Sequence, residues 1–128
     1  MSKKILQIVE SGYRATIEEQ DDTVVWFTHA IKGGGAEIAV LLRGHAVNYG
    51  VNGQDASGLA FGDKKQTQPP DLAGDLARLI AKGVEVHVVE EDLVAHGLVA
   101  TELIPGLKRI ARSGIPELLG RYDLIWHW

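Results

Sequence analysis

The sequence predicts an α/β fold, a three-layer α/β/α sandwich around a mostly parallel sheet of about five strands. Three observations carry this. Short apolar runs alternate with helical periods along the chain. The runs KILQIVE, EIAVLL and VEVHVV are apolar on both faces, as central parallel strands are. The connections have the length of helical crossovers, which place helices on both faces of a sheet. At 128 residues the chain is read as one domain, 1–128.

Lys4–Glu10 is the first predicted strand. Ser11-Gly12-Tyr13-Arg14 follow as a loop. Thr16, with Glu19 three residues on, has the form of a capping box. The helix it opens runs through VVWFTHAIK to Gly33-Gly34-Gly35. These glycines leave a helix and enter a strand. A phosphate cradle has the opposite order, so that reading is rejected.

Glu37–Leu42 is the second strand, followed by Arg43-Gly44-His45 and a helical turn over Ala46–Val51. Residues 52–68 are polar and glycine-rich, and are expected to form a functional loop, with Gln54 and Asp55 placed to close over the strand ends. Pro69-Pro70-Asp71 opens the next helix, where Leu72, Leu76, Leu79 and Ile80 make one apolar stripe. Val84–Val89 is the third strand, and Glu90-Glu91-Asp92 begin the helix after it. A weak strand is expected at Leu107–Ile110, a short helix at Pro116–Arg121 and a closing strand at Asp123–Trp128.

Composition narrows the function. Hydrophobic residues make up 45% and charged residues 23%, as in ordinary globular proteins. A net charge of -4, with no basic run, argues against nucleic acid and anionic membranes as partners. No apolar run reaches the roughly 20 residues of a membrane span. The start, MSKKILQIVE, lacks the form of a signal peptide, so the expected address is the cytoplasm. Cysteine is absent. That excludes disulfides, cysteine-ligated metals and thiol nucleophiles.

Ligands of open α/β sheets sit beyond the carboxyl ends of the strands. Those ends bring a defined set of groups. Glu10, Ser11, Tyr13 and Arg14 follow the first strand. Arg43, His45, Asn48 and Tyr49 follow the second, and Glu90, Glu91 and Asp92 the third. His127 and Trp128 end the last. Glu91 and Asp92 are read first as complements to a helix dipole. Arg43 either pairs with Glu10 or Glu90 or holds an anion. His45 is the best-placed titrating group. His87, inside an apolar strand, is read as a core or interface residue; His29 and His96 are read as surface or packing residues. No histidine pair has metal-ligand spacing, so no metal and no cofactor are expected. No serine has a G-x-S-x-G setting. A phospho-receiver is rejected because it needs paired acids after its first strand and a lysine after its last.

The order of elements, with "GAEIAVLLRGHAV", the "AHG" turn and the closing "YDLIWHW", resembles the DsrE/DsrF/TusD-like family over nearly the whole chain. The resemblance implies a flavodoxin-like, DsrE-like fold and a homo-oligomer, as trimer or hexamer. In that family a persulfide-bearing cysteine stands where the third strand meets its helix, near Val89 here. This chain has no thiolate to carry sulfur.

Three functional readings follow. The first is a non-catalytic oligomeric binding or partner subunit, linked to sulfur metabolism through a sulfur-relay protein or a small anionic ligand. Trp126 and Trp128, alternating onto one strand face with His127 opposite, are its expected interface. The second is a small cysteine-independent enzyme with Glu90 as general base, His45 as acid and Arg43 as anion holder. Its ligand-binding set is Ser11, Arg14, Arg43, Asn48, Tyr49 and Glu91. The third is anion binding at Ser11–Arg14, which the acids Glu18, Glu19, Asp21 and Asp22 oppose.

Overall fold

The computed structural model describes residues 3–12, 22–55 and 57–128. Among them a five-stranded parallel sheet forms from β1 (Lys4–Val9), β2 (Glu37–Leu42), β5 (Val86–Val89), β6 (Lys108–Ile110) and β7 (Leu124–His127). The strand order is β6-β5-β2-β1-β7. Helices α1 (Thr23–Gly33), α2 (Leu72–Ala81), α3 (Glu90–Ala95) and α4 (Ile115–Leu119) complete the α/β fold. A small hairpin, β3 (Ala60–Phe61) with β4 (Lys64–Lys65), interrupts the polar segment after residue 52. Its turn uses Gly62 at φ 60°, a conformation that favours glycine.

The two faces of the sheet carry different cores. Ile5 and Val9 of β1, Ile38, Val40 and Leu42 of β2, and Val86 and Val88 of β5 pack against α1, α2 and Leu93 of α3. Leu72, Leu76 and Leu79 are buried and Ile80 packs beside them, so the predicted stripe of α2 faces this core. The other face is thinner. Leu6, Ile8, Ala39, Leu41 and Val89 meet Leu118 of α4.

The second predicted turn is a 3-10 helix over Gly44–Gly50. It lies on the thick face and buries Ala46, Val47 and Tyr49. The capping box at Thr16 and Glu19 lies outside the described residues. The described α1 begins at Thr23, and Asp22 caps it by accepting from the amides of Val24 and Val25. Asp71 caps α2 in the same manner through Gly74.

Buried Gln7 occupies the middle of β1 on the α1 side. Its amide donates to Thr28 Oγ1 at 2.9 Å, and its carbonyl accepts the Trp128 indole N–H at 2.6 Å. The Thr28 hydroxyl in turn donates a hydrogen bond to Val24 O. A polar group in a central strand is thereby satisfied on both atoms, which removes most of its burial cost.

Candidate functional site at the carboxyl edge of the sheet

The order β6-β5-β2-β1-β7 aligns five strand ends along one edge. Glu10 and Ser11 follow β1, Arg43 to His45 follow β2, Glu90 to Asp92 follow β5, Arg112 follows β6, and Trp128 follows β7. Residues 117 and 118 positions apart in sequence meet there, as His127 and Trp128 do with Glu10.

Glu10 is a hub. Its Oε1 lies 3.3 Å from Arg43 Nε and 3.0 Å from His127 Nε2. Of the two partners considered for Arg43, the structure selects Glu10. Gly44 sits beside this pair at φ 55°, where a Cβ would stand 3.1 Å from Glu10 Cγ. The site therefore needs glycine for its dihedral, while an added Cβ would require the Glu10 side chain to give by a few tenths of an ångström.

The three acids after β5 have three different environments. Glu91 Oε1 accepts the Arg112 backbone N–H at 2.8 Å. Asp92 Oδ2 accepts the Gly44 N–H at 2.9 Å, and its Oδ1 accepts Arg112 Nη2 at 2.8 Å. These two side chains tie α3 to the ends of β2 and β6, beyond any general effect on a helix dipole. Glu90 is exposed and makes no hydrogen bond or ion pair among the described residues.

His45 is exposed. Its ring meets that of His96 edge-on, with centroids 4.9 Å apart. His96 Nδ1 lies 2.9 Å from Asp92 O, which fixes that ring at the start of the "AHG" turn. Asn48 donates to His45 O at 2.9 Å, and Gln54 donates to Asn48 O at 2.7 Å. The loop residue Gln54 is thus tied to the end of the 3-10 helix. Asp55 is engaged locally with Ser57, whose hydrogen bonds hold its carboxyl below the usual carboxylate range.

Ser11 is exposed, and its N–H donates to Trp128 O at 3.3 Å. Arg14 lies outside the described residues. Tyr49 belongs to the core: it is fully buried and its hydroxyl donates to Asp22 Oδ2 at 2.5 Å. It is held away from the edge that Arg43, His45 and Glu90 share.

Two participants were not legible beforehand. Arg112 lies just past the weak strand, and its role follows once β6 is placed parallel beside β5. Trp26 is the second. Being 58% exposed, it lies off the buried positions Val24, Val25 and Thr28 of α1. Trp26 joins Phe27, Trp126 and Trp128 in an aromatic surface beside β7. Phe27 stacks on Trp126 with centroids 5.9 Å apart. Two shallow clefts of about 470 and 240 Å³ open here, sharing Phe27 and Trp128. Trp126 and Trp128 both face α1, as the strand alternation requires.

On the thin face His87 is buried on β5. Its Nε2 is 3.5 Å from Glu85 Oε2, too far for a hydrogen bond, and has no other partner among the described residues. Burial pushes its pKa down, partly opposed by Glu85. Glu85 is held below the usual carboxylate range, chiefly by its 2.7 Å bond to Lys108 Nζ. Among the described residues no group of three or more His, Asp or Glu is arranged to hold a metal ion. No described helix is long and apolar enough to cross a membrane.

Fold and edge together define a three-layer α/β sandwich with a five-stranded parallel sheet, whose strand ends carry carboxylates, imidazoles and a guanidinium, in a chain without thiols. No family model and no curated protein matches it in sequence. Among solved structures, the ychN protein of E. coli superposes with a TM-score of 0.75 at 15% identity, covering 98% of this chain and 99% of that one. MTH1491 from Methanobacterium thermoautotrophicum, a protein of unknown function, gives 0.58 at 16% identity over 98% and 99%. At such identities the likeness is one of fold.

Proposed function

We propose that this chain is a cysteine-less DsrE-like protein that acts as a homo-oligomeric, non-catalytic binding or partner subunit, serving a sulfur-related system without carrying sulfur itself. One observation carries the reading. Trp26 and Trp128 are 58% and 42% exposed and line one cleft on this flank. Large aromatic and aliphatic side chains grouped in this manner mark association surfaces. The state of the carboxyl edge agrees, since Glu10, Glu91 and Asp92 are spent on neighbouring strands and loops. A group that ties its own fold together is poorly free to work on a substrate. The missing thiol removes persulfide transfer by this chain. Sedimentation equilibrium tests the assembly: a mass of two or more subunits at micromolar concentration is expected, and a strict monomer would refute it.

A second reading, a small enzyme working on an anionic molecule, draws on Glu90. That carboxylate stands exposed and unpartnered where the family site would lie. Its weakness is Arg43, whose guanidinium is already paired with Glu10. If turnover of any substrate is found, Glu90→Gln should reduce it at least a hundredfold, in line with the usual worth of a general base.

A further inference from the structure

The chain holds two asparagines, Asn48 and Asn52, and the fold treats them differently. Asn48 is half-buried in the 3-10 helix, its side-chain amide donates to His45 O at 2.9 Å, and the bulky Tyr49 follows it. Asn52 is exposed in the turn that leaves this helix, and Gly53 follows it at φ 80°. Neither the Asn52 side chain nor the Gly53 N–H makes a hydrogen bond among the described residues. A Cβ built on Gly53 would meet nothing within 4 Å, so the backbone there is open.

We propose that Asn52 is a site of spontaneous covalent modification, converting to aspartate and isoaspartate through a cyclic imide formed with Gly53. The Gly53 nitrogen gives its proton to hydroxide and attacks Asn52 Cγ. The new N–Cγ bond forms, the Cγ–Nδ2 bond breaks, and the side-chain nitrogen leaves as ammonia. Water then opens the ring. Opening at Cγ gives aspartate; opening at the main-chain carbonyl carbon of residue 52 gives isoaspartate. One water is consumed and one ammonia released, with nothing oxidised or reduced. Asparagine is a thermolabile residue. Glycine is the successor that least obstructs ring closure, because it has no side chain and moves freely among backbone conformations. Asn48 has neither a free amide nor a small successor, so it is the internal control.

The product changes more than charge. Isoaspartate routes the main chain through its own Cβ and Cγ, which adds an atom between Val51 and Gln54. The Asn52 N–H, which donates to Glu102 O at 2.9 Å, lies before the added atom and keeps its place. Gln54 lies after it. Its side chain spans the turn, donating to Asn48 O at 2.7 Å and to Val51 O at 3.2 Å. Displacing Gln54 breaks both bonds and loosens the segment beyond it from the 3-10 helix. That segment carries the exposed Lys64 and Lys65.

Ageing the full chain in mildly alkaline buffer tests this. Peptide mapping by mass spectrometry, with methyl labelling by an isoaspartyl methyltransferase, is expected to place the conversion on Asn52 and leave Asn48 intact. A shift of one negative charge should accompany it in isoelectric focusing. Asn52→Gln, whose longer side chain closes the ring poorly, is expected to lose the label. Intact Asn52 in the folded chain, with conversion only in urea, overturns the proposal, because the fold would then hold the turn in an unreactive shape. Equal conversion of Asn48 overturns the assignment to this turn. Tryptic cleavage after Lys64 and Lys65 is expected to quicken severalfold in the isoaspartate form, since loosened exposed segments are the preferred sites of nicking. Unchanged cleavage at high isoaspartate content overturns the loosening and leaves the modification standing.

Discussion

Tyr49 donates its hydroxyl to Asp22 Oδ2 at 2.5 Å across 27 residues of sequence, and both side chains are fully buried. Asp22 Oδ1 meanwhile caps α1 through the amides of Val24 and Val25. One carboxylate therefore joins the start of a helix to the 3-10 turn that ends near the strand edge. Tyr49→Phe keeps the ring and strips the donor, leaving a buried carboxylate oxygen short of a partner. The expected loss is about 1–3 kcal/mol. Asp22→Ala removes cap and partner together and should cost at least as much. Urea unfolding of the two variants measures both; equal stability of Tyr49→Phe and the parent chain would show that the contact contributes nothing.

The acids after β5 should separate in the same assay. Asp92→Ala breaks the bonds to Gly44 N–H and to Arg112, and should destabilise the chain by about 1–3 kcal/mol. Glu90→Gln removes a charge with no partner and should change stability by less than about 0.5 kcal/mol. Gly44→Ala should also be costly, because its φ of 55° and the nearby Glu10 side chain both oppose a methyl group. If Glu90→Gln proved as damaging as Asp92→Ala, the division of roles between them would be wrong.

Stability should fall with acidification before the carboxylates titrate. His87 is buried with an unbonded Nε2, and burial holds its folded pKa below the ordinary histidine value of 6.5. Lys108 and Arg121 also disfavour its cation, while Glu85 favours it. In the unfolded chain the imidazole takes up a proton at higher pH. Between the two values the unfolded state binds more protons, so stability rises with pH. The contribution is complete above the ordinary value and is lost as pH falls through the folded one. Glu85, whose pKa is also lowered, adds its own loss below about 4.5. Melting temperatures between pH 7 and pH 5 isolate the histidine. They should decline for the parent chain and decline less for His87→Leu; parallel declines would remove His87 as the cause.

The regular elements were legible because their signals are local. Alternation and apolar runs located β1, β2 and β5 within two residues, and the stripe of Leu72, Leu76 and Leu79 located α2. Asp71 was readable as a helix start from the prolines before it. The cap of α1 was less so. Asp22 holds that place in the described helix with a hydroxyl arriving from Tyr49, a tertiary contact that sequence spacing does not display. Tyr49 was placed at the sheet edge for the same reason: a seven-residue 3-10 turn has no stripe long enough to tell its inner from its outer side. The site was legible as a set of strand ends but not as a wiring diagram. Choosing Glu10 over Glu90 for Arg43, or joining Arg112 to Asp92, needs the strand order, which length and hydropathy leave open.

The aromatic flank gives the last prediction. Trp26 is 58% exposed and borders the cleft shared by Phe27 and Trp128. Within one subunit it buries little, so Trp26→Ser should leave monomer stability within about 0.5 kcal/mol. At a subunit contact the same side chain would lie among other aromatics, where truncating a tryptophan typically costs about 2 kcal/mol or more. The dissociation constant of the assembly should then rise about thirtyfold or more, since 1.4 kcal/mol corresponds to a factor of about ten. Sedimentation across a dilution series reads that shift, and thermal unfolding reads the other arm. Weakened assembly with unchanged unfolding assigns Trp26 to the contact. Loss of folding stability with unchanged assembly would place its work inside the subunit and remove this flank from the interface.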